Sequence, residues 1–310
     1  DAAKEAVANK RAKQLIAAMT LEQKLQQMTG SMPEILPELP NCYGARHVSG
    51  IAALNVPTFR MGNSTVGIGQ NDCVSPSLYE AVKAGKSTFT VAYTSNTSAK
   101  VTALPAAIGA AASFDTAVGT AYGNVMGTEM RNLALHLGEG PGVNMGRLPV
   151  LGRNFEYLGE DPYLTGMMGT AQVLAMQAKG VIAQPKHFAF NEQETVRQYV
   201  QEYVDEQTMR EIYLIPYEMA VRNGKAGSIM CAYNYVGKPG GKTSHSCESD
   251  EMQNKVLRDD WGFTGFVMTD FFSLKSTINP LRNGLDLEMP IPQYWTKANL
   301  TNALTSGAIS

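Results

Sequence analysis

The segment TGFVMTD at residues 264–270 is apolar almost to its end, and its last residue is Asp270. Two earlier segments have a similar form: GSIMCAY at residues 227–233, and VIAQPKHF at residues 181–188, which carries Lys186 and His187 near its end. Short apolar runs bounded by glycine are typical of strands buried in a parallel sheet. These segments therefore predict three buried strands that lead into polar or aromatic side chains.

Helical segments alternate with these strands. Asp115 is suited to cap a helix over residues 115–133, and Pro162 opens a second helix over residues 163–179. Further helices are predicted at residues 205–223, 246–259, 273–282 and 295–305, and further strands at residues 135–143 and 284–289. At least six strand–helix units favour an α/β fold, a TIM-type (β/α)8 or near-complete barrel, over the alternative of a doubly wound open sheet.

The first third of the chain is less regular. Apolar residues at helical spacing over residues 10–28, with a capping box from Thr20 to Gln23 among them, predict two short helices within residues 1–30. Residues 51–55 are predicted as a short strand, and residues 62–104, rich in Gly, Ser, Thr and Asn, as a loop-rich insertion. We expect residues 1–310 to form one barrel domain.

Composition argues against several classes of function. The 310 residues carry 26 Lys and Arg against 28 Asp and Glu, a net charge of −2, whereas nucleic-acid-binding domains usually carry a basic stripe. No apolar run approaches the roughly 20 residues of a membrane span. Dinucleotide, phosphate-loop and H-E-x-x-H zinc motifs are absent from the sequence, so we expect no cofactor, no metal, no nucleic-acid partner and no membrane.

The four cysteines, Cys42, Cys73, Cys231 and Cys247, are compatible with two disulfides or with four buried thiols. Cys231 and Cys247 are the nearest pair in sequence, which leaves Cys42 with Cys73 as the candidate second pair, although four cysteines allow three pairings. The chain begins with Asp1 and has no signal-peptide pattern, as a processed product would. Paired cysteines and a trimmed N-terminus favour a secreted or periplasmic protein.

Both candidate folds bind their ligands at the C-terminal ends of the strands. The residues at these ends are rich in charged and hydrogen-bonding groups. They are RMGN at residues 60–63, residues 144–147, Lys186 and His187, residues 230–233, Asp270 and Glu288. Any one of them could be a cap or an ion pair, but their convergence at one end of a barrel indicates a site.

Six stretches of the sequence, in order, resemble segments of one enzyme family. They are AAMTLEQKL at residues 17–25, GRNFEYLGEDPY at 152–163, KHFAFNEQET at 186–195, MCAYN at 230–234 followed by Cys247, WGFTGFVMTD at 261–270, and GLDLEMP at 284–290. On these motifs the chain resembles the β-glucosidase and β-xylosidase branch of glycoside hydrolase family 3. The resemblance implies an exo-acting retaining β-glycosidase, which hydrolyses terminal non-reducing β-linked sugars and takes a carbohydrate glycoside as its substrate.

The resemblance also implies roles for single residues. Asp270 stands where the family has its catalytic nucleophile, which forms a glycosyl-enzyme. Phe271 stands where the family often has Trp, and it would supply an apolar wall for the sugar. The implied substrate-binding residues are Asn63, Arg153, Lys186, His187, Met230, Tyr233 and Phe271, with Arg147 and Glu156 in support.

The sequence departs from the family pattern in two places. The family usually has Asp where this chain has Asn63, and an amide offers donors where a carboxylate offers only acceptors. The acid/base is also missing, because KHFAFN lacks the His of the N-acetylglucosaminidase branch and β-glucosidases take a Glu from a C-terminal sandwich domain. We therefore expect a barrel that is the catalytic domain of a larger enzyme, completed by a C-terminal part in a second chain or fragment.

Two alternatives follow from these departures. The first is a catalytically inactive, carbohydrate-binding barrel, suggested by Asn63 and by the missing acid/base. The second is a β-xylosidase or another β-glycosidase, whose sugar preference is altered because of Asn63. A covalent adduct on Asp270 would discriminate an active enzyme from the binding-only barrel.

Overall fold

The structure is a computed structural model that describes residues 2–31, 46–69, 80–81, 84–86 and 100–309. Its strands are short and lie in the order in which they are numbered. They are β1 (Arg46–Val48), β2 (Phe59–Asn63), β3 (Leu137–Glu139), β4 (Gly142–Met145), β5 (Tyr157–Gly159), β6 (Ile182–Ala183), β7 (Gln201–Tyr203), β8 (Ser228–Cys231), β9 (Tyr235–Gly237), β10 (Ser244–His245) and β11 (Phe266–Thr269).

Eight segments close into a TIM-like barrel. Strands β2, β3 and β6 are parallel neighbours, and β8 and β11 form a second parallel pair. Isolated parallel bridges join the other segments of the ring. They pair Phe188, which follows β6, with Cys231 in β8; Met268 in β11 with Leu287; and Glu288 with Thr29. The amide of Ser31 donates to the carbonyl of His47 (2.9 Å), which connects this last segment to β1. Because β1 runs antiparallel to β2, the ring contains one reversed strand.

Helices surround the ring. They span Ala2–Ala18, Leu21–Gln26, Ala107–Ala111, Thr116–Asn132, Pro162–Ala178, Glu206–Thr208, Ile215–Arg222, Ile278–Arg282 and Lys297–Thr305, with wider π-type turns at Met209–Tyr213 and Glu251–Asp260. Thr20 forms the predicted capping box with Gln23, and the Asp115 carboxylate accepts from the amide of Ala117 (2.8 Å). The predicted break between the first two helices and the predicted cap at Asp115 are therefore confirmed.

Several predicted elements differ in the structure, and the predicted strand 284–289 contributes only the isolated bridges of Leu287 and Glu288. Residues 51–55 are not a strand, because Ile51 pairs with Val56 across a tight turn in which Asn55 adopts a left-handed conformation (φ 52°). The barrel strand lies later, at Phe59–Asn63. The predicted strand 135–143 is split into β3 and β4 at Pro141, which has no amide to donate. The predicted helix 273–282 is confined to Ile278–Arg282.

A small three-stranded sheet was not predicted from the sequence. Strand β9 pairs in parallel with β7 and antiparallel with β10. Its strands are only two or three residues long, which is too short for a clear alternating pattern. Of the predicted insertion 62–104, most lies outside the described residues; within it, Ser64 pairs with Ile68 directly after β2.

The interior of the barrel is filled by methionine and branched apolar side chains. The buried cluster consists of Val48, Met61, Leu137, Met230, Met268, Leu287 and Met289, and Phe271 packs against it. The polar residues that follow the barrel strands therefore lie around one packed core.

Among the described helices, none is long and apolar enough to cross a membrane.

Candidate active site

Asp270 is fixed by the main chain at the end of β11. Its amide donates to the carbonyl of Cys231 (3.1 Å), and its Oδ1 accepts from the amide of Phe271 (2.7 Å). Its Oδ2 lies 3.7 Å from Nε2 of His187, and the side chain keeps 13% of its surface exposed. The site thus presents a rigid carboxylate that solvent can reach.

His187 is buried beside this carboxylate and is neutral. Burial, together with the neighbouring positive charges, holds the pKa of His187 well below its usual value. The Nη2 of Arg153 lies 2.9 Å from Nε2, and a guanidinium can only donate. The ring proton therefore resides on Nδ1, which lies 3.1 Å from the Tyr157 hydroxyl. The positive charge on this side of Asp270 belongs to Arg153.

Lys186 and Asn63 meet on another side of the site. The Lys186 ammonium donates to Oδ1 of Asn63 (2.7 Å) and lies 3.9 Å from Oε2 of Glu156. Burial lowers the pKa of Lys186, and the Glu156 charge opposes this effect. Burial would raise the pKa of Glu156, but Lys186 and Arg153 hold it below its usual value. Glu156, which also accepts from Nε of Arg153, is therefore an ionised anchor for both cations.

Arg197 and Tyr233 form a third side. The Arg197 guanidinium donates to Oε2 of Glu194 (2.5 Å) and lies 4.2 Å from the centre of the Tyr233 ring. The Tyr233 hydroxyl donates to the carbonyl of Phe271 (2.7 Å). Burial, followed by the charge of Asp270, raises the pKa of Tyr233. Tyr233 is therefore a neutral phenol that touches the segment carrying Asp270.

The structure brings most of the sequence-predicted residues together. Asn63, Arg153, Glu156, Lys186, His187, Tyr233 and Asp270 are linked by the contacts given above. Met230 is 2% exposed and belongs to the cluster inside the barrel. The Phe271 ring is covered by the guanidinium of Arg46 at 4.4 Å.

Other predicted residues lie elsewhere. Arg147 lies 5.7 Å from the Tyr213 ring, and Glu288 accepts from the amides of residues 293–295. Cys231 and Cys247 are joined by a disulfide (Cα–Cα 5.1 Å), which ties the end of β8 to the turn Ser246–Glu248. Cys42 and Cys73 lie outside the described residues.

Some residues of the site were not assigned from the sequence. Glu139 ends β3, is buried, and forms an ion pair with Arg46. Glu194 lies 3.6 Å from Arg153 and also binds Arg197. Like Asp270, Glu139 is a carboxylate at the end of an apolar strand. It was not recognised because residues 135–143 were predicted as one strand, which placed Glu139 in the middle of that strand.

The glutamates of the described site are engaged by donors from the same chain. Glu139 pairs with Arg46, and Glu194 with two arginines. Glu192 is buried and accepts from the side chain of Asn144 (3.0 Å). Within the described part of the chain, no group of three or more His, Cys, Asp or Glu is arranged to hold a metal ion. Unlike these glutamates, Asp270 accepts from a main-chain amide, and its Oδ2 lies 3.7 Å from His187.

Comparison with known proteins gives a consistent result. A family model described as the glycosyl hydrolase family 3 N terminal domain matches residues 92–310. Thermostable beta-glucosidase B of Acetivibrio thermocellus is 37% identical over 215 residues, which are 69% of this chain and 28% of that protein. Probable beta-glucosidase K of Emericella nidulans is 33% identical over 264 residues, which are 85% of this chain and 28% of that protein.

Solved structures agree with the sequence comparison. Beta-glucosidase 3B from Thermotoga neapolitana in complex with glucose matches with a TM-score of 0.79 and 31% identity, over 96% of this chain and 40% of that one. DesR, a beta-glucosidase from Streptomyces venezuelae in complex with D-glucose, matches with a TM-score of 0.77 and 32% identity, over 96% of this chain and 35% of that one. The chain thus spans less than half the length of these relatives.

Proposed function

Because the chain belongs to glycoside hydrolase family 3, we propose that it is the barrel of an exo-acting retaining β-glycosidase, of the β-glucosidase type. The observation that carries this proposal is the position of Asp270, a fixed carboxylate at the end of a barrel strand, 3.7 Å from a neutral histidine. The relatives named as beta-glucosidases support the class of substrate.

In the proposed reaction, Asp270 attacks the anomeric carbon of a terminal β-linked sugar. Its carboxylate oxygen forms a bond to that carbon while the bond to the leaving-group oxygen breaks, and that oxygen takes a proton from the acid/base, which gives a glycosyl-enzyme. A water molecule then attacks the same carbon and gives a proton back to the acid/base, which releases both the sugar and the Asp270 carboxylate. The Phe271 amide bound to Oδ1 keeps the carboxylate oriented for this attack.

The surrounding side chains are suited to bind sugar hydroxyls. The partly buried Arg153 and the buried Lys186 are cations that donate charge-assisted hydrogen bonds, and their pairing with Glu156 fixes their geometry. Arg197 adds a third cation above Tyr233. Arg147 lies apart from this group, beside Tyr213. Phe271, which is half-buried, supplies apolar surface on which a sugar ring can rest, whereas Met230 is buried in the barrel cluster.

We propose that the acid/base comes from a C-terminal part of the enzyme, carried on the same or another chain. A retaining glycosidase needs a second carboxyl group about 5–5.5 Å from the nucleophile. In the described part of this chain, the glutamates near Asp270 are held by Arg, Lys or Asn side chains. The greater length of the relatives is consistent with such a part. The Cys231–Cys247 disulfide supports a secreted or periplasmic location.

The test is a substitution at Asp270 in the full-length enzyme. Asp270→Asn is expected to lower hydrolysis of aryl β-glucosides by several orders of magnitude, because an amide cannot form the glycosyl-enzyme. Incubation of the parent with a 2-deoxy-2-fluoro β-glucoside is expected to attach one sugar to the peptide that contains Asp270, as measured by mass spectrometry. Activity of Asp270→Asn close to that of the parent would rule out this nucleophile.

A binding-only barrel remains the second candidate, and Asn63 is the observation that favours it. Its Oδ1 accepts from Lys186, so the residue lies inside the proposed sugar site. A parent protein that binds glucose but takes up no fluorosugar would support this candidate. A parent that cleaves aryl β-xylosides faster than aryl β-glucosides would instead support an altered sugar preference.

A further inference from the structure

Asn144 clamps the main chain of His187. Its Oδ1 accepts from the His187 amide (2.6 Å), and its Nδ2 donates to the His187 carbonyl (3.2 Å). The Tyr217 hydroxyl donates to the same carbonyl (2.8 Å). His187 is thus held at both ends of its main chain by side chains, next to Asp270.

The clamp works in only one of the two orientations of the Asn144 amide. Rotation of the amide by 180° would place Nδ2 against the His187 amide, so that two donors would face each other. Oε1 of Glu192 accepts from Nδ2 (3.0 Å) and lies 3.4 Å from the amide of Met145. An acceptor at this point stabilises the orientation in which Asn144 fits His187.

Glu192 is buried, so water does not compete strongly for its hydrogen bond with Asn144. Its side chain is 5% exposed, and burial raises its pKa to about 7. The Arg147 charge lowers this pKa, and the Glu202 charge raises it. The phenols of Tyr157, Tyr213 and Tyr217 also lie within its electrostatic reach. Oε1 can accept from Asn144 whether or not Oε2 carries a proton.

We propose that Glu192 is a positioning residue: it fixes the amide of Asn144, which holds His187 in place beside Asp270. The inference rests on the proposed glycosidase function and concerns the same site. Glu192 itself touches neither the substrate nor the reacting atoms in this mechanism. Its effect reaches the reaction through the imidazole that lies 3.7 Å from the nucleophile and accepts from Arg153.

The experiment compares two substitutions in the full-length enzyme. Glu192→Gln keeps an oxygen that can face the two donors, whereas Glu192→Leu removes it. We expect Glu192→Gln to retain kcat within about threefold, and Glu192→Leu to lose about tenfold or more, since a displacement of about 1 Å can cost up to about 10²-fold. Asn144→Ala is expected to add little to the loss of Glu192→Leu, because the two residues act in series.

Glu248→Leu is the matched control. Glu248 is also a buried carboxyl, and it accepts from the amides of Lys275 (2.8 Å) and Ser276 (2.7 Å). Its loss should lower Tm as much as Glu192→Leu does, with little effect on kcat. Equal kcat in the two Leu variants, or equal losses in Glu192→Gln and Glu192→Leu, would overturn the proposal.

A spectroscopic readout separates this proposal from the proposed function. In protein labelled with ¹⁵N-histidine, the His187 ring signals can be assigned by their loss in His187→Asn. We expect these signals to shift in Glu192→Leu but not in Glu192→Gln or Glu248→Leu. If the parent hydrolyses no glycoside, the proposed function fails, and the ring signals still decide whether Glu192 positions His187. Unshifted signals in Glu192→Leu would overturn the positioning role.

Discussion

The two side chains beside Asp270, Arg153 and His187, differ in charge. Arg153 is an arginine and stays charged at every accessible pH, while the buried His187 stays neutral because burial lowers its pKa. The carboxylate therefore faces a permanent cation and a neutral imidazole whose tautomer is set by that cation.

Asn63 can be used to test the basis of sugar preference. Asn63→Asp would give Lys186 an ionic partner and would present sugar hydroxyls with a carboxylate, whose charge-assisted hydrogen bonds are about twice as strong as neutral ones. We expect the ratio of kcat/KM for aryl β-glucosides over aryl β-xylosides to rise about tenfold, equivalent to about 1.4 kcal/mol. Asn302→Asp, on an exposed helical surface, controls for the added charge. An unchanged ratio would remove Asn63 as the cause of altered preference.

Among the elements, two helices pack closely through glycine. Gly119, Gly123 and Gly127 recur every four residues on the helix Thr116–Asn132 and face the helix Pro162–Ala178. A Cβ at Gly123 would lie 2.5 Å from the main-chain oxygen of Gln172. Because main chain cannot move aside as a flexible side chain can, the two helices would have to separate.

This packing predicts opposite effects at two glycines. Gly123→Ala is expected to lower the free energy of unfolding by about 1–3 kcal/mol through overpacking. Gly109→Ala, in the helix Ala107–Ala111 and with nothing within 4 Å of the added Cβ, is expected to raise it by about 0.5–1 kcal/mol. Urea unfolding of both variants measures the difference. Destabilisation of equal size at both positions would show that helix contact is not the cause.

The disulfide predicts a further effect on stability. Cys231 and Cys247 are 16 residues apart, and a closed loop of about 15 residues contributes about 3 kcal/mol by restricting the unfolded chain. The double variant Cys231→Ala with Cys247→Ala should therefore unfold at a lower urea concentration, with a loss of about that size. A loss below about 0.5 kcal/mol would mean that the barrel fixes these residues without the bond.

Prediction from the sequence was correct for elements that a single local pattern defines. The apolar run ending at Asp270 corresponds to β11 (Phe266–Thr269), and the capping residues Thr20 and Asp115 act as predicted. It failed at residues 51–55, where a local turn took the place of a strand. It also failed at Glu139, although Pro141 inside the predicted strand 135–143 was a local sign that the strand would be interrupted.

At the scale of the whole molecule, strand alternation predicted the barrel but not how it closes. The reversed β1 and the bridge between Thr29 and Glu288 join parts of the chain that are distant in sequence. Such pairings depend on the complete set of neighbours and leave no mark in a short window of sequence. The same holds for Arg197, whose place above Tyr233 follows from tertiary packing.

The response of the whole molecule to acid can be predicted from its buried histidines. His245 is 3% exposed and accepts from the amide of Cys247 (3.3 Å), and burial lowers its pKa from 6.5 to about 3. Between pH 6.5 and 3 the unfolded chain binds a proton at this residue and the folded chain does not. Stability therefore falls as pH falls through this window, by up to about 1.4 kcal/mol per pH unit. The lowered pKa of His187 acts in the same direction.

Comparison of the parent with the variant His245→Gln isolates the contribution of His245 to the pH dependence of stability, because the two proteins share all other titrating groups. Glu192, with its raised pKa, acts in the opposite direction and cancels in this difference. His245→Gln keeps an acceptor for the Cys247 amide but cannot bind a proton at these pH values. From pH 6.5 to pH 5, the parent is expected to lose about 1.6 kcal/mol more unfolding free energy than the variant. Urea unfolding at both pH values measures this difference, and parallel losses would mean that His245 takes up its proton in the folded state.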